Sequence, residues 1–351
     1  MSAIATISNI AEPTAQKEML ISADSHVHEP HDLWVKRLPD AFRDRAPTFP
    51  ERAGGHPGGY DPHKRLEEMS TDGVSLEVLY ATRGMPLFRI LEPAFQEACF
   101  RIFNDWLSEY CQVAPNRLFG IALIPLYDVE HGIQELERCR TAGLRGAMIW
   151  QNPPENLPFR SDHYERFWAA AQDMEMPVSL HILTGHGYMA RAGAREGIEH
   201  VRSSVNTKLN EVMDSLYDLM FYGALDRYPR LKVVLVENEI GWIPWTLQQW
   251  DFYLSKGRGK EESKLERRPP EYLADQLFAT FFNDPLGMRY LETWGGDACM
   301  WSNDFPHGNS TWPHSREVIA EHLGHLSPEV RTKVLSGNVS RLYNIRVPEP
   351  L

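Results

Sequence analysis

Ile21-Ser22-Ala23-Asp24-Ser25-His26-Val27-His28-Glu29-Pro30 is the stretch on which the reading of this chain turns. A short apolar lead, Met19-Leu20-Ile21, runs into it. In an extended chain alternate residues share a face, so Asp24, His26 and His28 are expected to point the same way. Three potential ligands on one face, at the end of a first strand, suggest a metal-binding cluster. A polar loop after an edge strand would look the same locally. The decision therefore rests on the rest of the chain.

Working outward, seven further apolar runs fall at 73–80, 117–125, 144–150, 177–181, 231–236, 277–282 and 298–302. Helical patterns separate or follow them at 63–71, 93–113, 129–142, 164–174, 205–222, 242–254, 285–293 and 328–342. The clearest is 93–113, with Phe95, Cys99, Ile102, Phe103, Trp106, Leu107 and Tyr110 at helical spacing. Strands alternating with helices imply parallel pairing through crossovers. Eight such units in one chain predict an α/β fold, a (β/α)8 TIM barrel, over a doubly wound sheet. No G-x-G-x-x-G turn follows the first strand and there is no P-loop, which argues against nucleotide-binding architectures. The predicted organisation is a disordered lead at 1–18, one barrel domain at 19–345 and a tail at 346–351. The stretch 39–62, rich in Pro, Gly and Arg, reads as a long insertion after strand 1, either covering a site or forming a disordered loop. The charged stretch 256–270 reads as a loop.

Composition narrows the function. A formal net charge of -12 argues against nucleic-acid and anionic-membrane partners, which need clustered Lys and Arg. A small anionic substrate needs only a local cation and stays open. No run is long and apolar enough to span a bilayer. Residues 1–17 lack the charged and apolar regions of a signal peptide. The four cysteines, Cys99, Cys111, Cys139 and Cys299, form no CxxC pair. A reduced, cytoplasmic protein is the simplest expectation.

In a barrel of this type the working groups sit at the C-terminal ends of strands. Read in order, those ends offer Asp24, His26 and His28, then Arg83, Gln151 with Asn152, and His181. Glu237 with Asn238, Asn283 with Asp284, and Asp304 followed by His307 complete the set. Taken singly, His181 could be a satisfied core histidine, Asp304 a turn residue before Pro306, and Arg83 and His307 loop residues. Together they fall where successive strands deliver side chains to one end. No G-x-S-x-G elbow is present, so a serine triad has no support.

The combination resembles the amidohydrolase superfamily. Its metal-binding pattern is matched by Asp24-x-His26 after strand 1, His181 after strand 5 and Asp304 after strand 8. The "amidohydrolase 2" branch of aminocarboxymuconate-semialdehyde and resorcylate-type decarboxylases is the nearer likeness. It is carried by Ala23-Asp24-Ser25-His26-Val27-x-Glu29-Pro30, Gly241-Trp242-Ile243-Pro244, Asn303-Asp304-x-Pro306-His307, Ser310-Thr311-Trp312-Pro313 and the closing Gly337-Asn338-Val339-Ser340-Arg341-Leu342-Tyr343. The resemblance implies one divalent ion, Zn²⁺ or Mn²⁺, held by Asp24, His26, His181 and Asp304. Asp304 and His181 would be catalytic, with Asp304 moving the proton. Arg83, His307, His28 and Glu237 would face a small carboxylate substrate, and a homodimer is the assembly such members often form. Counting back from Pro30 favours Asp24 and His26 as the ligand pair, leaving His28 as a neighbour. The branch often carries a histidine at the end of strand 6, where this chain has Asn238 beside Glu237 and Glu239. Non-oxidative decarboxylation of an aromatic or unsaturated acid ranks first. Hydrolysis of an ester, lactone, amide or C–C bond follows, and a non-catalytic ligand-binding barrel is the third reading.

Overall fold

A computed structural model describes residues 18–50, 55–186 and 198–346. Its eight strands are β1 (Ile21–His26), β2 (Leu76–Tyr80), β3 (Leu118–Leu123), β4 (Gly146–Ile149), β5 (Val178–His181), β6 (Val233–Val236), β7 (Leu277–Phe281) and β8 (Cys299–Trp301). They form one parallel sheet in sequential order. Every strand residue is buried, which is why these segments read as continuous apolar runs: helices cover the outer face and side chains fill the inner one. This is the predicted (β/α)8 barrel.

The crossover helices that matter most for the site are α1 (Pro62–Asp72) before β2 and α2 (Pro93–Cys111) before β3. Local chemistry sets both ends of α1. The Asp61 carboxylate accepts from the backbone N–H groups of His63 and Lys64, Pro62 occupies the first turn, and Gly73 at φ 77° ends the helix. Substituting alanine for such a cap costs about 1 kcal/mol. Helix α2 buries Phe95, Cys99, Phe100, Phe103, Trp106, Leu107 and Tyr110, at roughly 1.5–3 kcal/mol for each large apolar side chain.

Some segments differ from expectation. The stretch expected as a charged loop contains a short helix, Gly257–Glu262, and the 3-10 turn Pro269–Tyr272. The helix expected at 285–293 breaks at Tyr290 into Pro285–Arg289 and Leu291–Trp294. Ser315–Leu323 is an additional helix, and the closing helix passes through a π-turn at Lys333–Gly337. Within 39–62, Asp40–Arg43 is helical, and Gly59 O accepts from the His28 N–H at 2.8 Å, so the insertion packs against the end of β1. Residues 51–54 of it lie outside the described residues.

One junction has a different construction. Among the described residues β8 and β1 form no ladder. Two backbone hydrogen bonds just past the strand span close the ring there: His26 N–H donates to Phe305 O at 2.7 Å, and Asp304 N–H donates to Asp24 O at 3.1 Å. Asn303 reinforces this seam, its Oδ1 accepting from Ser22 Oγ at 3.0 Å and Ser25 Oγ at 2.9 Å. Inside the barrel, Tyr80 Oη meets Ser179 Oγ at 3.0 Å and Tyr343 Oη at 3.1 Å. This buried layer is the floor beneath the strand ends.

Candidate metal centre

Asp24, His26, His181 and Asp304 are all completely buried at the C-terminal mouth of the barrel. The sequence alternation holds for Asp24 and His26 and then fails. Register between β1 and β2 shifts between Ser22 and Ser25, and the strand ends at His26. A bulge re-aims the residues that follow it. His28 lies past the end of β1 and belongs to neither group of clustered donor atoms. It lies against Gly59, and its ring centroid is 6.0 Å from that of His307.

His26 Nδ1 lies 2.8 Å from Ala81 O, and His181 Nδ1 lies 2.8 Å from Ile182 O. A carbonyl oxygen can only accept, so each Nδ1 carries the proton and each Nε2 is turned inward. Those Nε2 atoms stand 3.3 Å apart. Asp24 Oδ1 is 3.4 Å from the first and 3.7 Å from the second. Asp304 Oδ1 is 3.6 Å from His26 Nε2, and Glu237 Oε2 is 3.7 Å from His181 Nε2.

The donor atoms close into two overlapping sets, each within 4.8 Å throughout: Asp24, His26, His181 and Glu237, and His26, Glu237, Asp304 and His307. The expected quartet is thus divided, with Asp304 in the second set and Glu237 common to both. Asn238 turns away. Its Nδ2 donates to Val236 O at 2.9 Å and Leu180 O at 3.3 Å, tying it to the backbone. Glu237, at φ 58°, is the strand 6 side chain that reaches the cluster.

The electrostatics are those of a site short of positive charge. Burial pushes Asp24 upward, but the imidazoles of His181 and His26 more than offset this and hold it below the usual carboxylate range. Burial and the neighbouring Asp304 charge push Glu237 up to about 8. Burial and Asp24 push Asp304 well above its ordinary value. Burial and the nearby His307 lower His26 to about 3, whereas His181 is raised because Asp24 and Glu237 outweigh its desolvation. Among the described residues neither Asp24 oxygen, nor Oδ2 of Asp304, has a hydrogen-bond partner. Buried carboxylate oxygens are rarely left so. Orphaned anionic oxygens and facing imidazole nitrogens are a donor set that fits a borderline divalent cation.

The other expected residues surround this cluster. His307 Nδ1 is 2.8 Å from Asp304 Oδ1, its Nε2 is 3.1 Å from Thr82 Oγ1, and its ring lies 4.1 Å from that of His26. Arg83 is a brace: Nη1 donates to Glu29 O at 2.8 Å and Nη2 to Pro50 O at 2.9 Å. His28 and Arg83 both line a cavity of about 330 Å³ with Glu29, His31, His56 and Tyr60. Gln151 and Asp284 serve the backbone, Gln151 donating to Lys208 O and Asp284 accepting from Ile240 and Gly241 N–H. Sequence reasoning misses Arg65, which touches the backbone of the cluster's own strand ends. Its only signal is helical spacing with Met69 and Asp72, the other two buried residues of the helix.

An eight-stranded parallel barrel with a buried carboxylate and imidazole cluster at its C-terminal mouth defines a metal-centre type of barrel protein. The chain belongs to the amidohydrolase family, whose model matches residues 23–345. It is 25% identical over 345 residues to a gamma-resorcylate decarboxylase of Rhizobium radiobacter, covering 85% of this chain and 94% of that protein. An amidohydrolase from Mycobacterium avium subsp. paratuberculosis superposes with a TM-score of 0.77 at 18% identity, covering 94% of this chain and 100% of that one. A dihydroxybenzoic acid decarboxylase from Polaromonas, with bound manganese and the inhibitor 2-nitroresorcinol, superposes with a TM-score of 0.71 at 21% identity, covering 95% and 99%.

Proposed function

We propose that the chain is a metal-dependent carboxy-lyase that releases carbon dioxide, without an oxidant, from a small aromatic or unsaturated carboxylic acid. The observation that carries this reading is the buried cluster itself, with Asp24 Oδ1 set 3.4 and 3.7 Å from two imidazole nitrogens and without a hydrogen-bond partner among the described residues. Similarity to a gamma-resorcylate decarboxylase along most of both chains, and a shared fold with a manganese-bound dihydroxybenzoic acid decarboxylase, support it.

Asp24, His26 and His181 would hold one divalent ion, Mn²⁺ or Zn²⁺, with Asp304 and Glu237 approaching from strands 8 and 6. Bound there, such an ion supplies Lewis acidity toward a substrate oxygen. Burial and the Asp24 charge both disfavour the Asp304 anion and so favour its protonated form. Asp304 would deliver that proton to the carbon from which carbon dioxide departs: the C–C bond breaks, its electron pair stays on that carbon, and the proton takes the vacated position. His307, bonded to Asp304 Oδ1, would resupply the proton. His28 and Arg83, which line one cavity together, would set the outer limit of the substrate.

Hydrolysis is the competing reading, because a proton shuttle at Asp304 suits attack by water equally well. Incubating the Mn²⁺-loaded protein with a panel of hydroxybenzoates, esters and lactones, and following carbon dioxide and acid separately, decides between them. No turnover of either kind by metal-loaded protein would leave the ligand-binding barrel. A homodimer is the proposed assembly, supported by Trp245, Phe252 and Tyr253, which are 62%, 52% and 68% exposed on the helix Ile243–Leu254. Light scattering tests it. No helix of the described residues is long and apolar enough to cross a membrane. The four cysteines are buried and unpaired, which suits a reducing cytoplasm.

A further inference from the structure

The β8–β1 junction carries three cluster residues, Asp24, His26 and Asp304, and among the described residues it has no ladder, only two backbone hydrogen bonds and the side chains around them. Arg65 of α1 is completely buried, as is the strand β2 residue Glu77 beside it. Its Nε donates to Glu77 Oε2 at 2.5 Å, its Nη1 to His26 O at 2.7 Å and its Nη2 to Phe305 O at 3.4 Å. The guanidinium also lies 4.6 Å from the Phe305 ring centroid. Phe305 O is the same oxygen that accepts from His26 N–H. One planar group therefore joins β2, the last residue of β1 and the residue after Asp304.

We propose that Arg65 is a positioning residue for the cluster, pinning the His26 and Asp304 strand ends together across the unladdered seam. The fork of N–H groups is what the task requires: three acceptors lie in different directions around one plane, and a lysine ammonium cannot span them. Seven residues further along the same helix face, Asp72 grips the other side of the seam. Its Oδ2 accepts from Asn303 Nδ2 at 3.1 Å and from Ser315 Oγ at 2.6 Å. Helix α1 thus acts as a splint with two attachment points, of which Arg65 is the nearer to the cluster.

The inference rests on the metal-centre reading only for its consequence, so the test has one readout that needs metal and one that does not. In metal-free protein, Arg65→Lys is expected to speed amide exchange in peptides spanning 22–27 and 302–306 by about tenfold, with β4–β6 peptides unchanged. The same variant is expected to weaken Mn²⁺ binding, read by electron paramagnetic resonance, by about tenfold to a hundredfold. Phe305→Leu, which removes the ring beneath the guanidinium and keeps the Glu77 pair, should show both effects more mildly and serves if Arg65→Lys does not fold. Leu136→Val, a buried change on the far helix Val129–Thr141, should show neither. Parent-like exchange at the seam in Arg65→Lys or, if that does not fold, in Phe305→Leu, or an equal loss of Mn²⁺ affinity in Leu136→Val, would overturn the proposal. Failure of the parent itself to bind Mn²⁺ would refute the metal-centre reading, and the exchange result would still decide the role of Arg65.

Discussion

His26 Nε2 and His181 Nε2 stand 3.3 Å apart, each turned inward by an Nδ1–H bond to a backbone carbonyl. Two imidazole lone pairs cannot face each other at that distance without a positive charge between them. The carboxylates of Asp24 and Glu237 outweigh the burial of His181 and shift it upward, toward holding such a charge. A divalent ion, accepting the lone pairs of both rings, serves better, because Asp24 Oδ1 also stands 3.4 and 3.7 Å from the two nitrogens.

His26→Ala and His181→Ala are therefore each expected to weaken Mn²⁺ binding by about a hundredfold or more, measured by metal titration of chelator-treated protein. His28→Ala, outside both sets of donor atoms, should change it by no more than about twofold. Equal losses in all three would restore His28 to the ligand set and contradict the break in alternation after His26.

Metal uptake should tighten as pH rises. Glu237 is raised to about 8, so it holds a proton near neutrality, and an approaching cation must displace it. The gain continues until pH passes the Glu237 value of about 8 and then levels off. Calorimetry in buffers of different ionisation enthalpy should show proton release on Mn²⁺ binding at neutral pH. Glu237→Gln should flatten the upper part of the curve. An affinity independent of pH from about 6 to 8.5 would contradict the assignment.

Loading the site should stabilise the fold, because the cluster does not exist in the unfolded chain. At Mn²⁺ about a hundredfold above its dissociation constant the stabilisation is about 2.7 kcal/mol. A melting temperature unmoved between chelator and Mn²⁺ would mean that the cluster is not a strong site.

Asp304→Asn removes the proposed proton carrier while nearly preserving shape. It should lower kcat by about a thousandfold with KM within a few-fold of the parent, since general acid catalysis contributes roughly 10²–10⁴. His307→Gln removes only the resupply and should cost less. If Asp304→Asn turns over normally, the proton route is wrong.

Much of this arrangement is legible in the amino-acid sequence. Parallel strands buried on both faces leave continuous apolar runs, so the barrel and the residues at its mouth, from Asp24 to Asp304, stand out. Three features do not. His28 is misplaced by simple alternation because β1 ends at His26, so the two-residue period has no strand to run on. At strand 6 the residues offer Glu237, Asn238 and Glu239 side by side, and only the folded backbone, left-handed at Glu237 and Glu239, shows that Asn238 bonds the backbone while Glu237 reaches the cluster. Arg65 is hidden because a charged residue in a charged helix reads as a solvated face, and only three-dimensional closure at the seam makes it buried.

The most direct measurement of the central claim is carbon dioxide released by chelator-treated protein before and after Mn²⁺ is restored, with 2,6-dihydroxybenzoate and related hydroxybenzoates as substrates. The account predicts carbon dioxide equal to the decarboxylated phenol formed, present only with metal and lost in Asp304→Asn. Fully metal-loaded protein that releases none from any acid in the panel would contradict it.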